Sequence, residues 1–96
     1  MKAELLIKER IVLSDNSFAE LVLWRLPKTS EGSIHTFKYR LAFVVDFVCV
    51  LRYDNEAGKG DHKHIGTIET TYDFKSPRVL LADFWRDVDN WRTEHE

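Results

Sequence analysis

Helical periodicity appears in only one part of this chain, and that limits what the chain can become. Leu80, Leu81, Phe84, Trp85, Val88 and Trp91 recur at spacings of three and four, which lines them along one side of an α-helix. Ser76-Pro77 supplies the start. Serine can cap free backbone N–H groups, and proline fits the first helical position because its missing N–H has no partner to lose there. The pattern predicts a helix over about residues 77–93, with Asp83, Asp87 and Asp89 largely away from the apolar stripe. Everything before Ser76 is written mainly in strand-type residues and turn signals. One helix covers one sheet face. The expected fold is therefore α+β: a curved antiparallel β-sheet of four or more strands packed against one C-terminal helix, in a single domain over residues 1–96.

The strands are read from alternation and turn chemistry. Segment 4–13 puts Leu5, Ile7, Ile11 and Leu13 on one face, with Glu9 as the exception. Ser14-Asp15-Asn16-Ser17 is a cluster of short polar side chains that can bond their own backbone in a turn, and 18–26 resumes as the second arm of a hairpin. Pro27 to Thr36 reads as a loop. Phe37, Tyr39, Leu41, Phe43 and Val45 then share one strand face, while Lys38 and Arg40 share the other. Phe47 to Tyr53 is the expected partner, joined through a very short link at Asp46-Phe47 that lacks the glycine a tight hairpin prefers. A polar stretch from Asp54 to Gly66 follows, ending in an extended piece from His62 to Ile68, with Tyr72-Asp73-Phe74 as a further short strand. Both faces of the 41–51 hairpin carry apolar residues. A single helix cannot cover both, so either the sheet curls or a second chain covers the remainder.

Composition excludes several classes. The longest apolar runs, Leu41–Val45 and Phe47–Leu51, are five residues each, against about 20 for a membrane-spanning helix. The first ten residues are too charged for a secretory signal. Cys49 is the only cysteine, so no internal disulfide can form, and the cytoplasm is the expected compartment. With 14 basic and 16 acidic residues the net charge is −2, which lacks the basic excess of a strong nonspecific nucleic-acid binder. The charge is uneven: seven Lys/Arg against five Asp/Glu in residues 1–45, and two against five in residues 79–96.

Chemistry concentrates in Arg52-Tyr53-Asp54-Asn55-Glu56-Ala57-Gly58-Lys59-Gly60-Asp61-His62-Lys63-His64. In an extended segment His62 and His64 point to the same side. Three readings follow. As general acid and base they would serve phosphoryl transfer, with Asp61 beside them and with Arg52, Tyr53, Asp54, Lys59 and Lys63 as substrate-binding groups. As metal ligands they would need Asp61 or Asp54 as well, since two histidines do not make a site. As a solvated hairpin flank they would do neither. Gly58-Lys59-Gly60 lacks the spacing of a phosphate-binding P-loop, and Cys49 has no activating base adjacent in sequence. These residues call for no cofactor and no metal.

Phe37-Lys-Tyr-Arg-Leu-Ala-Phe-Val, then Val50-Leu-Arg-Tyr-Asp-Asn55, then Gly58-Lys-Gly-Asp-His-Lys-His64, then Tyr72 and Phe74 before the terminal helix, resemble the TumE family of small toxins from toxin–antitoxin pairs. The likeness runs from about residue 4 to 92, departing at Asp46-Phe47, where the family typically has an Asn-Gly-like turn. The resemblance implies a cytoplasmic toxin of a type II pair, encoded beside an antitoxin that often carries a helix-turn-helix domain. Fold-level analogy with small β-rich toxins adds action on RNA or translation, as a metal-independent ribonuclease. The alternatives are a noncatalytic RNA- or protein-binding module, and a metal- or nucleotide-dependent enzyme using the same loop. The uncovered sheet face adds the expectation of an apolar interface, with the antitoxin or with a second copy of the chain as a homodimer.

Overall fold

The structure, a computed structural model, describes residues 2–28, 35–55 and 60–95. Its strands are β1 (Glu4–Ser14), β2 (Ser17–Arg25), β3 (Phe37–Val45), β4 (Val48–Asp54), β5 (His62–Ile65) and β6 (Ile68–Thr71), followed by helix α1 (Pro77–Glu94). Each strand pairs antiparallel with the next, giving one open six-stranded sheet in sequence order with β1 and β6 at its edges. This is the expected α+β architecture, a sheet against one C-terminal helix.

Two expectations about the strands are corrected. The alternation assigned to β1 is broken by register shifts between Leu5 and Ile7 and between Val12 and Ser14. Each shift inserts a residue and resets which side chains face the core. Leu5 consequently pairs with Trp24 and is exposed, while Leu6 and Leu13 pack against the core. Tyr72-Asp73-Phe74 is not a strand. Gly66, at φ 61°, opens a two-residue turn directly after β5, so the return strand begins at Ile68 and ends at Thr71. Tyr72 is held instead by its N–H, which donates to the Asp61 carbonyl at 3.0 Å.

The β3–β4 link is a two-residue turn in which Asp46 (φ 50°) and Phe47 (φ 67°) both occupy the left-handed region. Tight hairpins need this geometry, but it is unfavourable without glycine. The neighbouring β1–β2 turn braces it: the Asp46 N–H donates to the Asn16 carbonyl at 2.9 Å, and Asn16 Nδ2 donates to Asp46 Oδ1 at 2.9 Å.

Helix α1 begins as its sequence dictates, with Ser76 Oγ accepting from the Val79 N–H at 3.2 Å. Its Leu80, Phe84 and Val88 are fully buried against Leu21, Leu23, Leu41, Phe43, Leu51 and Tyr53 of the sheet. Burying such a side chain stabilises by roughly 1.5–3 kcal/mol. Phe43 meets Trp91 edge-on at 5.5 Å, and Tyr53 meets Phe84 edge-on at 5.9 Å, so the odd-numbered residues of β3 and, beyond the register shift that leaves Val50 unpaired, Leu51 and Tyr53 of β4 face the helix. Asp83 and Asp87 are not turned away as expected. They lie one position before Phe84 and Val88, on the flank of the stripe, where phenols from the sheet reach them: Tyr72 donates to Asp83 Oδ2 at 2.6 Å, and Tyr53 donates to Asp87 Oδ2. The helix leaves the other sheet face uncovered.

Candidate functional site

Antiparallel register decides where the Arg52–His64 residues go. Arg52 pairs with His64, Tyr53 with Lys63, and Asp54 with His62. Tyr53 faces the helix, so Lys63 does too, while Arg52, Asp54, His62 and His64 share the open face. The residues expected as one cluster are therefore divided by the sheet. Lys59 lies outside the described residues.

On the helix side, Tyr53 is fully buried and bonds Asp87, and Lys63 donates to the same Asp87 oxygen at 3.3 Å while sitting 5.7 Å over the Tyr53 ring. These two expected substrate-binding residues tie helix to sheet. Asp61 also turns inward. Its Oδ2 accepts from the Tyr39 hydroxyl at 2.6 Å and from His35 Nε2 at 2.9 Å. The His35 assignment follows from its other nitrogen, which accepts from the Phe37 N–H at 3.1 Å and so carries no proton. His35 also stacks on Phe74 at 3.9 Å. With both nitrogens engaged, this His–Asp–Tyr group holds the start of β5 to β3. Sequence reading did not pair these residues, because 26 positions separate His35 from Asp61 and no local period connects them.

Burial is the largest cause of the upward shift of the Tyr39, Tyr53 and Tyr72 phenols above their ordinary value. Their carboxylate partners Asp61, Asp87 and Asp83 add to it through hydrogen bonding and charge. These hydroxyls stay protonated and act as donors, which suits structural ties. Asn55 is also structural: its Oδ1 accepts from the Tyr39 N–H at 2.9 Å and its Nδ2 donates to the Phe37 carbonyl at 2.7 Å, continuing the β3–β4 ladder with a side-chain amide.

The open face is arranged differently. His62 Nδ1 lies 3.1 Å from the Gly60 carbonyl, which can only accept, so Nδ1 carries the proton. In the neutral ring the other nitrogen, Nε2, then carries a lone pair with no partner among the described residues. Two positions along β5, His64 Nε2 lies 3.1 Å from Arg52 Nη2 and 3.1 Å from Glu69 Oε2. One ring nitrogen cannot both accept from the guanidinium and donate to the carboxylate, so the two neighbours favour opposite placements of the proton on Nε2. Arg52 Nε lies 3.0 Å from Asp54 Oδ2, yet it is buried without an aligned hydrogen bond. A pocket of about 170 Å³ lined by Lys38, Arg40, Arg52 and Asp54 opens beside this group. Among the described residues no three His, Cys, Asp or Glu side chains are grouped to hold a metal ion. Among the described residues no helix is long and apolar enough to cross a membrane.

No curated protein and no solved structure matches the chain. The model of one protein family, described as Toxin TumE, matches residues 2–92. That span takes in every strand, the open-face histidines and nearly all of the helix that closes the core, so the chain belongs to the Toxin TumE family.

Proposed function

We propose that this toxin cleaves RNA by metal-independent phosphoryl transfer on the open face of its sheet. The observation that carries this reading is the pairing of His62, whose Nε2 is unoccupied among the described residues, with His64 on the same strand face and Arg52 beside it. Residues two apart on a strand stand about 7 Å apart. That lets two imidazoles address opposite sides of one phosphorus. His62 Nε2 takes the proton from a ribose 2′-hydroxyl, and the 2′-oxygen attacks the adjacent phosphorus. The bond from phosphorus to the 5′-oxygen breaks, and protonated His64 gives its proton to that leaving oxygen. The products are a 2′,3′-cyclic phosphate and a 5′-hydroxyl, with one proton taken and one returned. Arg52 offsets the charge developing on the phosphoryl oxygens, and Asp54 holds the guanidinium in place. Asp61, Tyr53 and Lys63 have structural roles in this scheme.

Expression of the chain should arrest growth. His62→Ala and His64→Ala should each relieve the arrest and lower cleavage of an RNA oligomer by about 100-fold or more, with the circular dichroism spectrum unchanged. Cleavage should be bell-shaped in pH, and a single 2′-deoxy substitution 5′ to the scissile phosphate should abolish it. Single histidine variants that remain fully toxic would reject the acid–base assignment in favour of a noncatalytic binding module.

A toxin implies an antitoxin. We propose a protein antitoxin with a helix-turn-helix domain that covers the open face or the β3–β4 turn, where Val12, Phe47 and Val48 are exposed. A second copy of the chain is the competing occupant. Sedimentation of the toxin alone and with its neighbouring gene product separates the two.

A further inference from the structure

We infer that the open sheet face, beyond the histidines, is a track for single-stranded RNA, with Trp24 as a base-stacking platform and Lys38 and Arg40 as phosphate clamps. This rests on the reading of the protein as an RNA-acting toxin, and adds a binding subsite that the cleavage scheme does not need.

The register builds the surface. Trp24 on β2 pairs with Lys38 on β3, and Val22 with Arg40. Arg40 pairs with Asp54 on β4, and Asp54 with His62 on β5. A continuous row of side chains therefore runs from Trp24 and Lys38, through Arg40 and Arg52, to His62 and His64. The distance from β2 to β5 is three strand spacings, roughly 14 Å. Two adjoining pockets mark it: one of about 120 Å³ lined by Val22, Trp24, Lys38 and Arg40, and the 170 Å³ pocket that shares Lys38 and Arg40 with it.

Charge selects the occupant. The paired positions on this face carry Lys8, Arg10, Lys38, Arg40 and Arg52 against Glu20, Asp54 and Glu69, a net of +2 on a chain whose total is −2. Asp54 and Glu69 are spent on Arg52 and His64, while Lys38 and Arg40 are exposed and have no carboxylate partner among the described residues. An open cationic sheet face with an aromatic ring at one end suits an unpaired strand, whose bases are free to stack, better than a duplex, whose bases are not. Small sheets that bind RNA in this manner stack about two or three bases. An acidic protein surface would satisfy the cations but would not use the Trp24 ring next to them.

The test separates binding from cleavage by using a fluorescein-labelled 2′-O-methyl oligouridine, which lacks the attacking hydroxyl. Anisotropy with the full-length chain should show salt-sensitive binding, weaker for the same oligomer in a duplex. Lys38→Ala/Arg40→Ala should reduce affinity about tenfold or more and lower the slope of log K against log salt by about 1.4. Trp24→Leu, which keeps apolar volume, should weaken binding roughly 5- to 100-fold with little change in slope. Both variants should retain the wild-type thermal midpoint within a few degrees. Binding of the oligomer without cleavage of natural RNA would reject the ribonuclease and keep the track. Cleavage with an unchanged KM in both variants would keep the ribonuclease and overturn the track. Failure of the wild-type chain to bind the single strand would overturn the track and assign the face to a protein.

Discussion

Phe47 stands fully exposed at the tip of the β3–β4 hairpin with φ at 67°, so its ring adds nothing to the core while its backbone bears steric strain. A left-handed residue with a Cβ costs roughly 1–2 kcal/mol. Glycine would remove that cost but would lose about 0.5–1 kcal/mol through the greater freedom of the unfolded chain. Phe47→Gly should therefore stabilise the protein by about 0.5–1 kcal/mol, read as a higher urea midpoint at constant m-value. A lower midpoint would show that the ring packs in solution. Asp46-Phe47 was legible in sequence as a turn lacking its glycine. How the chain tolerates it was not, because the bracing Asn16 lies 30 residues away on another hairpin. The histidines divide similarly. That His62 and His64 share a side follows from strand alternation alone, whereas the contacts of His64 with Arg52 and Glu69 depend on how β4, β5 and β6 pair.

Helix α1 is tied to the sheet by more than its apolar stripe. Asp87 accepts from both Tyr53 and Lys63, so Asp87→Ala would leave a buried hydroxyl and an ammonium without their acceptor. The expected loss is about 1–3 kcal/mol in urea unfolding. Asp89→Ala, on the exposed side, should stay within about 0.5 kcal/mol. The buried phenols should govern behaviour in alkali. All three tyrosines of the chain have their phenols shifted upward by burial first and by hydrogen bonds to Asp61, Asp87 and Asp83 second. Folding thus binds these protons more tightly than the unfolded chain, whose phenols titrate near pH 10. Their contribution to stability is complete below pH 10 and is lost as pH rises from there through the higher folded values. Ultraviolet titration should show almost no tyrosinate in the folded protein at pH 10–11, then all three ionising together on unfolding. Gradual ionisation of one phenol near pH 10 with the fold intact would contradict the burial of that residue. The helix and its cap could be read from Ser76-Pro77 and the three-and-four spacing. The inward carboxylates were missed, although at about 100° per residue a helical wheel places Asp83 and Asp87 at the Leu80 edge of the apolar stripe.

At the scale of the whole molecule, one helix on a six-stranded sheet gives two unlike faces. The covered face holds the core and the Tyr39–Asp61–His35 tie; the open face holds the cations, the two candidate catalytic histidines and Trp24. The sequence by itself determined the division into strands followed by a helix, the β1–β2 and β3–β4 hairpin links and the α+β class, while the β5–β6 turn at Gly66 was not read. Those rest on side-chain period and turn chemistry, which are local properties of the chain. Only the tertiary structure decided which face each residue of the Arg52–His64 stretch occupies. A strand's alternation says that neighbours oppose one another, but the side covered by the helix depends on register across strands, and a slip of one residue would exchange the two sets. For that reason Tyr53, Asp61 and Lys63 entered the interior framework while Arg52, His62 and His64 stayed partly exposed on the open face, with Asp54 buried beside Arg52.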